Sequence, residues 1–170
     1  MNGISRLGRL ALVIALVVVV ADQALKAWIL SGLNLPVIGT RPLGPIALTM
    51  VWNQGVSFGF LRADHDIVRW LLACFSIGVA ILLAVWVRKA DRSLFATSVG
   101  LVMGGAVGNV IDRIRFGAVA DFIDVRPLTA GLFPWIFNLA DSAISIGICL
   151  LLIDMLRQDG RERAAKAAES

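Results

Sequence analysis

Apolar residues fall into four blocks along the chain, at about residues 9–31, 67–87, 93–113 and 135–156. Each comes close to the ~20 residues that a helix needs to cross the hydrocarbon core of a bilayer. The polar intervals between the blocks differ in length. Residues 88–92, Arg-Lys-Ala-Asp-Arg, allow only a tight turn, whereas 32–66 and 114–134 are long connections that lie together on the opposite side. In the first of these, Pro36, Gly39, Pro42, Gly44 and Pro45 interrupt helix, because neither residue type propagates it. Ile46 to Trp52 then reads as a strand, Asn53-Gln54-Gly55 as a turn and Val56 to Leu61 as a returning strand, which predicts a small sheet resting at the outer membrane surface. The tail 157–170 is polar, rich in Ala and charge, and reads as the frayed end of the last helix.

The first block has a competing reading. Arg6 and Arg9, the apolar run Leu10 to Ala21, and Val19-Val20-Ala21 before Asp22 resemble a cleavable leader. The apolar pattern resumes through Ala24, Leu25, Ala27, Trp28, Ile29 and Leu30, and that length favours a full span.

Composition agrees with the pattern. Of 170 residues 58% are hydrophobic, with a mean hydropathy of +0.83, too apolar for a soluble domain of this size. One bundle accounts for the whole length. The net charge of +4 bears on topology, since the basic residues gather at helix ends. Arg6, Arg9, Arg88, Lys89, Arg92, Arg157, Arg161, Arg163 and Lys166 fall on one side; Arg41, Arg62, Arg69, Arg113, Arg115 and Arg126 are spread more thinly over the other. The denser side is expected to be cytoplasmic, with both termini on it and both long connections outside. The interleaving of basic and aromatic residues that marks a nucleic-acid surface is absent from the sequence. Cys74 and Cys149 lie in apolar helix pattern and read as small buried packing residues. The single histidine, His65, falls in a polar loop, which excludes a multi-histidine metal site.

Against this apolar background the acidic residues stand out. A carboxylate at the bilayer centre costs roughly 2.5–3.5 kcal/mol on insertion scales, so such groups line cavities or find partners. Asp22 and Lys26 are four apart on one helix face and are expected to pair. Gly100, Gly104 and Gly108 form a smooth stripe for close helix packing. Asn109 and Asp112 share a face, whereas the adjacent Asp112 and Arg113 are expected to pair with other elements. Asp121 follows Gly117, a predicted helix stop. Asp141 would lie about six residues into the fourth helix, ~9 Å below its outer end. Asn138 and Ser142 are close enough to orient that carboxylate or to bind substrate. Asp124 competes with Asp121, and spacing does not choose between them. Two carboxylates at close range cannot both ionise easily, so a pair holds one proton. The ionised member can take a proton from water while the protonated member polarises a carbonyl, the chemistry of an aspartic peptidase. A proton-coupled carrier or a structural scaffold uses the same residues differently, and the residues alone leave all three open.

Five ordered motifs narrow this. Asp22-Gln23-Ala24-Leu25-Lys26, Asn53-Gln54-Gly55-Val56-Ser57-Phe58, Gly108-Asn109-Val110-Ile111-Asp112-Arg113, Gly117-Ala118-Val119-Ala120-Asp121-Phe122 and Phe137-Asn138-Leu139-Ala140-Asp141-Ser142 together resemble the lipoprotein signal peptidase (signal peptidase II) family. The resemblance implies an all-α enzyme of the bacterial inner membrane with four transmembrane helices, both termini cytoplasmic, and a small periplasmic β-rich platform between the first two helices. It implies cleavage of prolipoproteins before a diacylglyceryl-modified cysteine near the periplasmic face, without cofactor or metal. By motif position Asp121 and Asp141 become the catalytic dyad and Asp124 a neighbour. Asn53, Gly55, Asn109, Arg113 and Asn138 fall around substrate and dyad; Asp22 and Lys26 take a structural or supporting role. The implied partners are prolipoproteins, membrane lipid and the cyclic peptide antibiotic globomycin, with a monomer expected. The segment Trp52 to Phe60 is expected to clamp over the substrate. A rhomboid-type site would need a Ser–His pair in the membrane, and a presenilin-type site a tyrosine, of which the chain has none.

Overall fold

The computed structural model describes residues 3–55 and 66–168. The expected strand at Val56 to Leu61, His65 and most of the expected clamp lie outside the described residues. Helix α1 (Arg6–Ala27) starts at Ser5, whose Oγ accepts the Gly8 amide at 2.9 Å, and runs on through a π turn, Trp28–Gly32. A short α2 (Leu35–Ile38) leads into strands β1 (Thr40–Leu43) and β2 (Ile46–Asn53). Helix α3 (Asp66–Trp86) ends in a 3-10 turn, and α4 (Ser93–Phe116) follows. Gly117 stops α4 in the left-handed region at φ 76°, as its position predicted. Strands β3 (Val119–Asp124) and β4 (Ile136–Phe137) precede α5 (Leu139–Ala168). Among the described residues four helical segments are long and apolar enough to cross a membrane.

The sheet is antiparallel in the order β1-β2-β3-β4. It therefore draws on both long connections, not only on the one between the first two spans. β2 lies between β1 and β3, and a register shift between Leu48 and Val51 brings Val51 opposite Asp121. Ile29, Leu35, Leu48 and Phe122 bury together beneath the sheet, fastening it to the end of α1. At the far end of the bundle the Ser5 amide donates to Arg88 O, and Ser5 Oγ to Ala90 O, each at 2.9 Å. The α3–α4 turn and the start of α1 thus meet opposite the sheet.

Helix α4 is the axis of the bundle. Its most apolar stretch is 67% buried, against 17–22% in the other three spans. The glycine stripe explains how. A Cβ on Gly100 or Gly104 would stand 2.7 Å from the carbonyl oxygen of Ala11 or Ala15, and one on Gly108 would stand 2.7 Å from the Asp22 carboxylate. On another face Gly105 meets the backbone of Ala140, and Gly147 of α5 approaches Ser98 O. Backbones this close gain dispersion contact that lipid cannot offer. The other spans turn Leu16, Val17, Phe75, Leu82 and Leu156 outward. Cys74 and Cys149 are exposed as well, contrary to the expectation of burial. In a bundle surrounded by hydrocarbon, an apolar side chain loses little by facing outward.

Candidate active site

Two chain reversals bring Asp121 and Asp141 towards one another. Gly117 turns the chain from α4 into β3, where the Ala120 amide is held by Asp112 Oδ2 at 3.1 Å, and Asp121 follows, 2% exposed. Asp141 arrives from the other side, in the first turn of α5. This corrects its expected depth. Residues 136–137 are strand β4, so the helix begins four residues later than the apolar pattern suggested. Asn138 is the cap. Its Oδ1 accepts the Asp141 amide at 2.9 Å, while Asp141 Oδ2 accepts the Asn138 amide at 3.3 Å. This is a reciprocal capping box. Ser142 serves the same cap by donating to Asn138 O at 3.0 Å.

The cap residue also reaches across to the other carboxylate. Asn138 Nδ2 donates to Asp121 Oδ1 at 2.7 Å, and Asn53 Nδ2 to Asp121 Oδ2 at 2.9 Å. Asn109 Nδ2 donates to Asp141 Oδ1 at 2.8 Å. Each of the four carboxylate oxygens thus receives one N–H, and every one of those donors is a neutral amide. Burial and the neighbouring Asp141 carboxylate push Asp121 up to about 7, against the opposing pull of Asn53, Asn138 and the Lys26 charge. A group at that level holds or releases a proton near neutrality, as a general acid or base must.

Below this pair is a second buried cluster, built on charge. Lys26 Nζ lies 2.8 Å from Asp22 Oδ2 and 2.8 Å from Asp112 Oδ2, and all three side chains are essentially inaccessible. Both the Asp22–Lys26 pairing and the separate destinations of Asp112 and Arg113 follow the sequence expectation. Gln23 had been given no role, yet its Nε2 donates to Asp112 Oδ1 at 3.0 Å and Asp22 Oδ2 at 3.2 Å. Its place beside Asp22 in the first motif was the available signal. Asp22 Oδ1 accepts the Ala140 amide at 3.1 Å, so the cluster also ties α1 to the start of α5. Asn109 joins the two clusters. Its Oδ1 accepts from Lys26 Nζ and Asn138 Nδ2, each at 3.3 Å, which turns its Nδ2 towards Asp141.

Arg113 reaches from α4 towards Gly55 O at 3.5 Å, and the Gly55 amide donates to Asn53 Oδ1 at 3.1 Å. The turn after β2 is thereby fixed so that Asn53 aims its amide at Asp121. Asp124 belongs elsewhere. Arg126 holds it with Nη2 at 2.6 Å and Nε at 2.9 Å, Thr49 Oγ1 donates at 2.8 Å, and these bonds, Arg126 foremost, keep it well below the usual carboxylate range. Asp124 is thus held by a cation, whereas Asp121 is held by the two asparagine amides. Beside Asp141 opens a cavity of about 690 Å³, lined by Phe133, Trp135, Phe137, Ser142 and Ile146 among others. Its walls are mainly apolar and it continues along α5.

Comparison with known proteins identifies the family. The family model described as "Signal peptidase (SPase) II" matches residues 14–157. A "Lipoprotein signal peptidase" of Caulobacter vibrioides is 56% identical over 153 residues, covering 89% of each chain. One of the same description from Methylobacterium radiotolerans is 42% identical over 165 residues, covering 96% of this chain and 93% of that one. Among solved structures, a bacterial membrane enzyme determined by the in meso method at 2.3 Å superposes with a TM-score of 0.77 at 28% identity over 95% of both chains. A second, at 1.9 Å, gives 0.73 at 30% identity.

Proposed function

The chain belongs to the signal peptidase II family, aspartic peptidases that remove signal peptides from prolipoproteins, and on that footing we propose that Asp121 and Asp141 are the pair that hydrolyses the peptide bond. The observation that carries this reading is Asn138, which holds both carboxylates at once, by its side chain to Asp121 and by its amide to Asp141.

Between them the two carboxylates hold one proton. The ionised member takes a proton from a water as that water's oxygen bonds to the scissile carbonyl carbon. The protonated member gives its proton to the carbonyl oxygen. The tetrahedral diol then collapses: the carboxyl that took the water proton gives it to the amine nitrogen as the C–N bond breaks, the other carboxylate takes a proton from a diol hydroxyl, and a carboxylic acid remains on the signal peptide while the pair again holds one proton. No bond to the enzyme forms. Asn53, Asn109 and Asn138 keep the carboxylates oriented through these exchanges, Arg113 steadies the turn carrying Asn53 and Gly55, and the Asp22–Lys26–Asp112 cluster supports the site from below.

Cleavage falls before a diacylglyceryl-modified cysteine. The signal helix enters sideways from the lipid, its acyl chains remaining in the bilayer, and the apolar cavity beside Asp141 suits that route. The density of Lys and Arg favours a cytoplasmic position for both termini, hence a site near the periplasmic face of the inner membrane. The enzyme works as a monomer and is a target for globomycin. The turn at Asn53 and Gly55 begins a clamp over the substrate, so replacing either slows turnover without unfolding the bundle; normal turnover in both variants would remove the clamp.

The deciding experiment is cleavage of a diacylglyceryl-modified prolipoprotein by purified protein in detergent, beside Asp121→Asn and Asp141→Asn. Activity in the parent and none in either folded variant is the expected result. Activity kept by either variant would refute the dyad. Proton-driven flux without hydrolysis would favour a carrier.

A further inference from the structure

The end of the bundle away from the dyad carries a feature that the peptidase chemistry leaves unused. A cavity of about 660 Å³ opens there, walled by Val85, Trp86, Arg88, Lys89, Arg92 and Phe95. Its backbone is fixed: the Ser5 amide and hydroxyl hold Arg88 O and Ala90 O, and the Ala90 amide closes the turn on Val87 O at 3.0 Å. Arg92 is also held, by Asp154 at 2.6 Å and over the Phe95 ring at 5.5 Å, while Trp86 meets Phe95 edge-on at 4.7 Å. Asp91 is a rim group, 84% exposed and 3.5 Å from Arg92 Nε. Arg88 and Lys89 are exposed and make no ion pair among the described residues.

Three cations against one rim carboxylate and the committed Asp154 leave the pocket positive, with an aromatic floor. Basic pockets at the ends of membrane helices take anionic lipid headgroups. One side of this pocket is continuous with hydrocarbon-facing surface. Val85 and Trp86 are exposed at its lip, and Ile81 and Leu82, each at least 60% exposed, continue down α3. A ligand with a phosphodiester at one end and acyl chains at the other matches both parts. A free phosphate would use only the first.

We propose that this pocket binds the phosphodiester headgroup of an anionic phospholipid in the leaflet opposite the dyad, with Arg88 and Lys89 as its free cations, Arg92 as its fixed one, and the acyl chains lying along α3. The site is independent of the peptidase mechanism.

Lipid retention by the full chain in detergent, followed by native mass spectrometry, tests it. The probes are dioleoylphosphatidylglycerol, dioleoylphosphatidylcholine and glycerol phosphate. The Arg88→Gln/Lys89→Gln variant keeps the backbone bonds of the turn, and its lipid-free melting temperature is expected to match the parent's. Arg161→Gln/Arg163→Gln removes as much charge from the exposed tail as a control. The parent is expected to prefer the anionic lipid over the zwitterionic one, the pocket variant to bind it about tenfold or more weakly, and the tail variant to bind as the parent does. Equal loss in both variants, or no preference between the lipids, would overturn the site in favour of diffuse surface charge. Displacement of the lipid by glycerol phosphate at matching concentration would overturn it in favour of a free-anion site.

Discussion

Two groups of buried aspartates lie next to each other in this protein, and they are satisfied in opposite ways. Asp22 and Asp112 share an ammonium, Lys26, at 2.8 Å each. Among the described residues, Asp121 and Asp141 receive only neutral amide donors on their four oxygens, from Asn53, Asn109 and Asn138. A cation in contact fixes a carboxylate in its charged form, whereas an amide orients it and leaves it free to gain a proton. The first arrangement ties α1 to α4; the second is the one to which we assign the chemistry. Asp124, three residues from Asp121, falls with the first group because Arg126 forks onto it. The residue type is the same throughout, and the donors are what differ.

The largest expected effect comes from replacing a member of the neutral-donor pair. Asp121→Asn or Asp141→Asn should lower prolipoprotein cleavage by about a thousandfold or more, since acid and base catalysis are both lost. The folded state should not suffer, because two crowded carboxylates become one. Unfolding temperature in detergent, measured beside the cleavage rate, checks both halves. A variant that loses stability in step with activity would erase the distinction between the two clusters.

In the charged cluster the order reverses. Lys26→Met strands two buried carboxylates and should cost about 3–5 kcal/mol of stability. Adding Asp22→Asn and Asp112→Asn should return much of that loss, because the uncompensated charge is gone. Chemical denaturation of the single and triple variants reads this directly. Failure of the triple variant to recover would mean that Lys26 acts through Asn109 more than through its two acids.

The asparagines sharpen the comparison further. Asn138 touches both carboxylates and caps α5, while Asn109 touches one. A lost hydrogen bond to a buried polar group is worth about 1–3 kcal/mol, so Asn138→Ala should slow cleavage by about a hundredfold and Asn109→Ala by about tenfold. Steady-state kinetics on one lipidated substrate ranks them.

Much of this contrast could be read from the sequence, and its failures have physical reasons. Four spans, the glycine stripe and the Asp22–Lys26 pair depend on spacing within single helices, which periodicity reports. The partner of β2 is non-local. Val51 faces Asp121 across about seventy residues, and no local pattern encodes that pairing. The depth of Asp141 is hidden because Phe133 to Phe137 is as apolar as a helix, while the stop signal is Pro134 and the start signal is the Asn138–Asp141 box. Gln23 gives no clear signal, because an uncharged polar residue beside an aspartate carries little weight alone. The exposed cysteines depart from a burial rule that holds for proteins in water.

The smallest expected effect concerns protonation. Asp121 stands at about 7, raised from 3.8 by burial and by Asp141. If the pair must hold one proton to work, cleavage should fall as pH rises through about 7. Asn53 donates to Asp121 Oδ2 and so favours the charged form. Asn53→Ala removes that donor, and the alkaline limb of the pH–rate profile should move to higher pH even as the rate falls. The sign for stability follows from the same shift. The folded protein binds this proton more tightly than the unfolded chain does, so the group's contribution is greatest below pH ~4 and is lost as pH rises to about 7. Asp121→Asn should flatten both dependences. A pH–rate profile that keeps its alkaline limb unmoved in Asn53→Ala would assign the limb to another group and return Asp121 to the company of the fixed carboxylates.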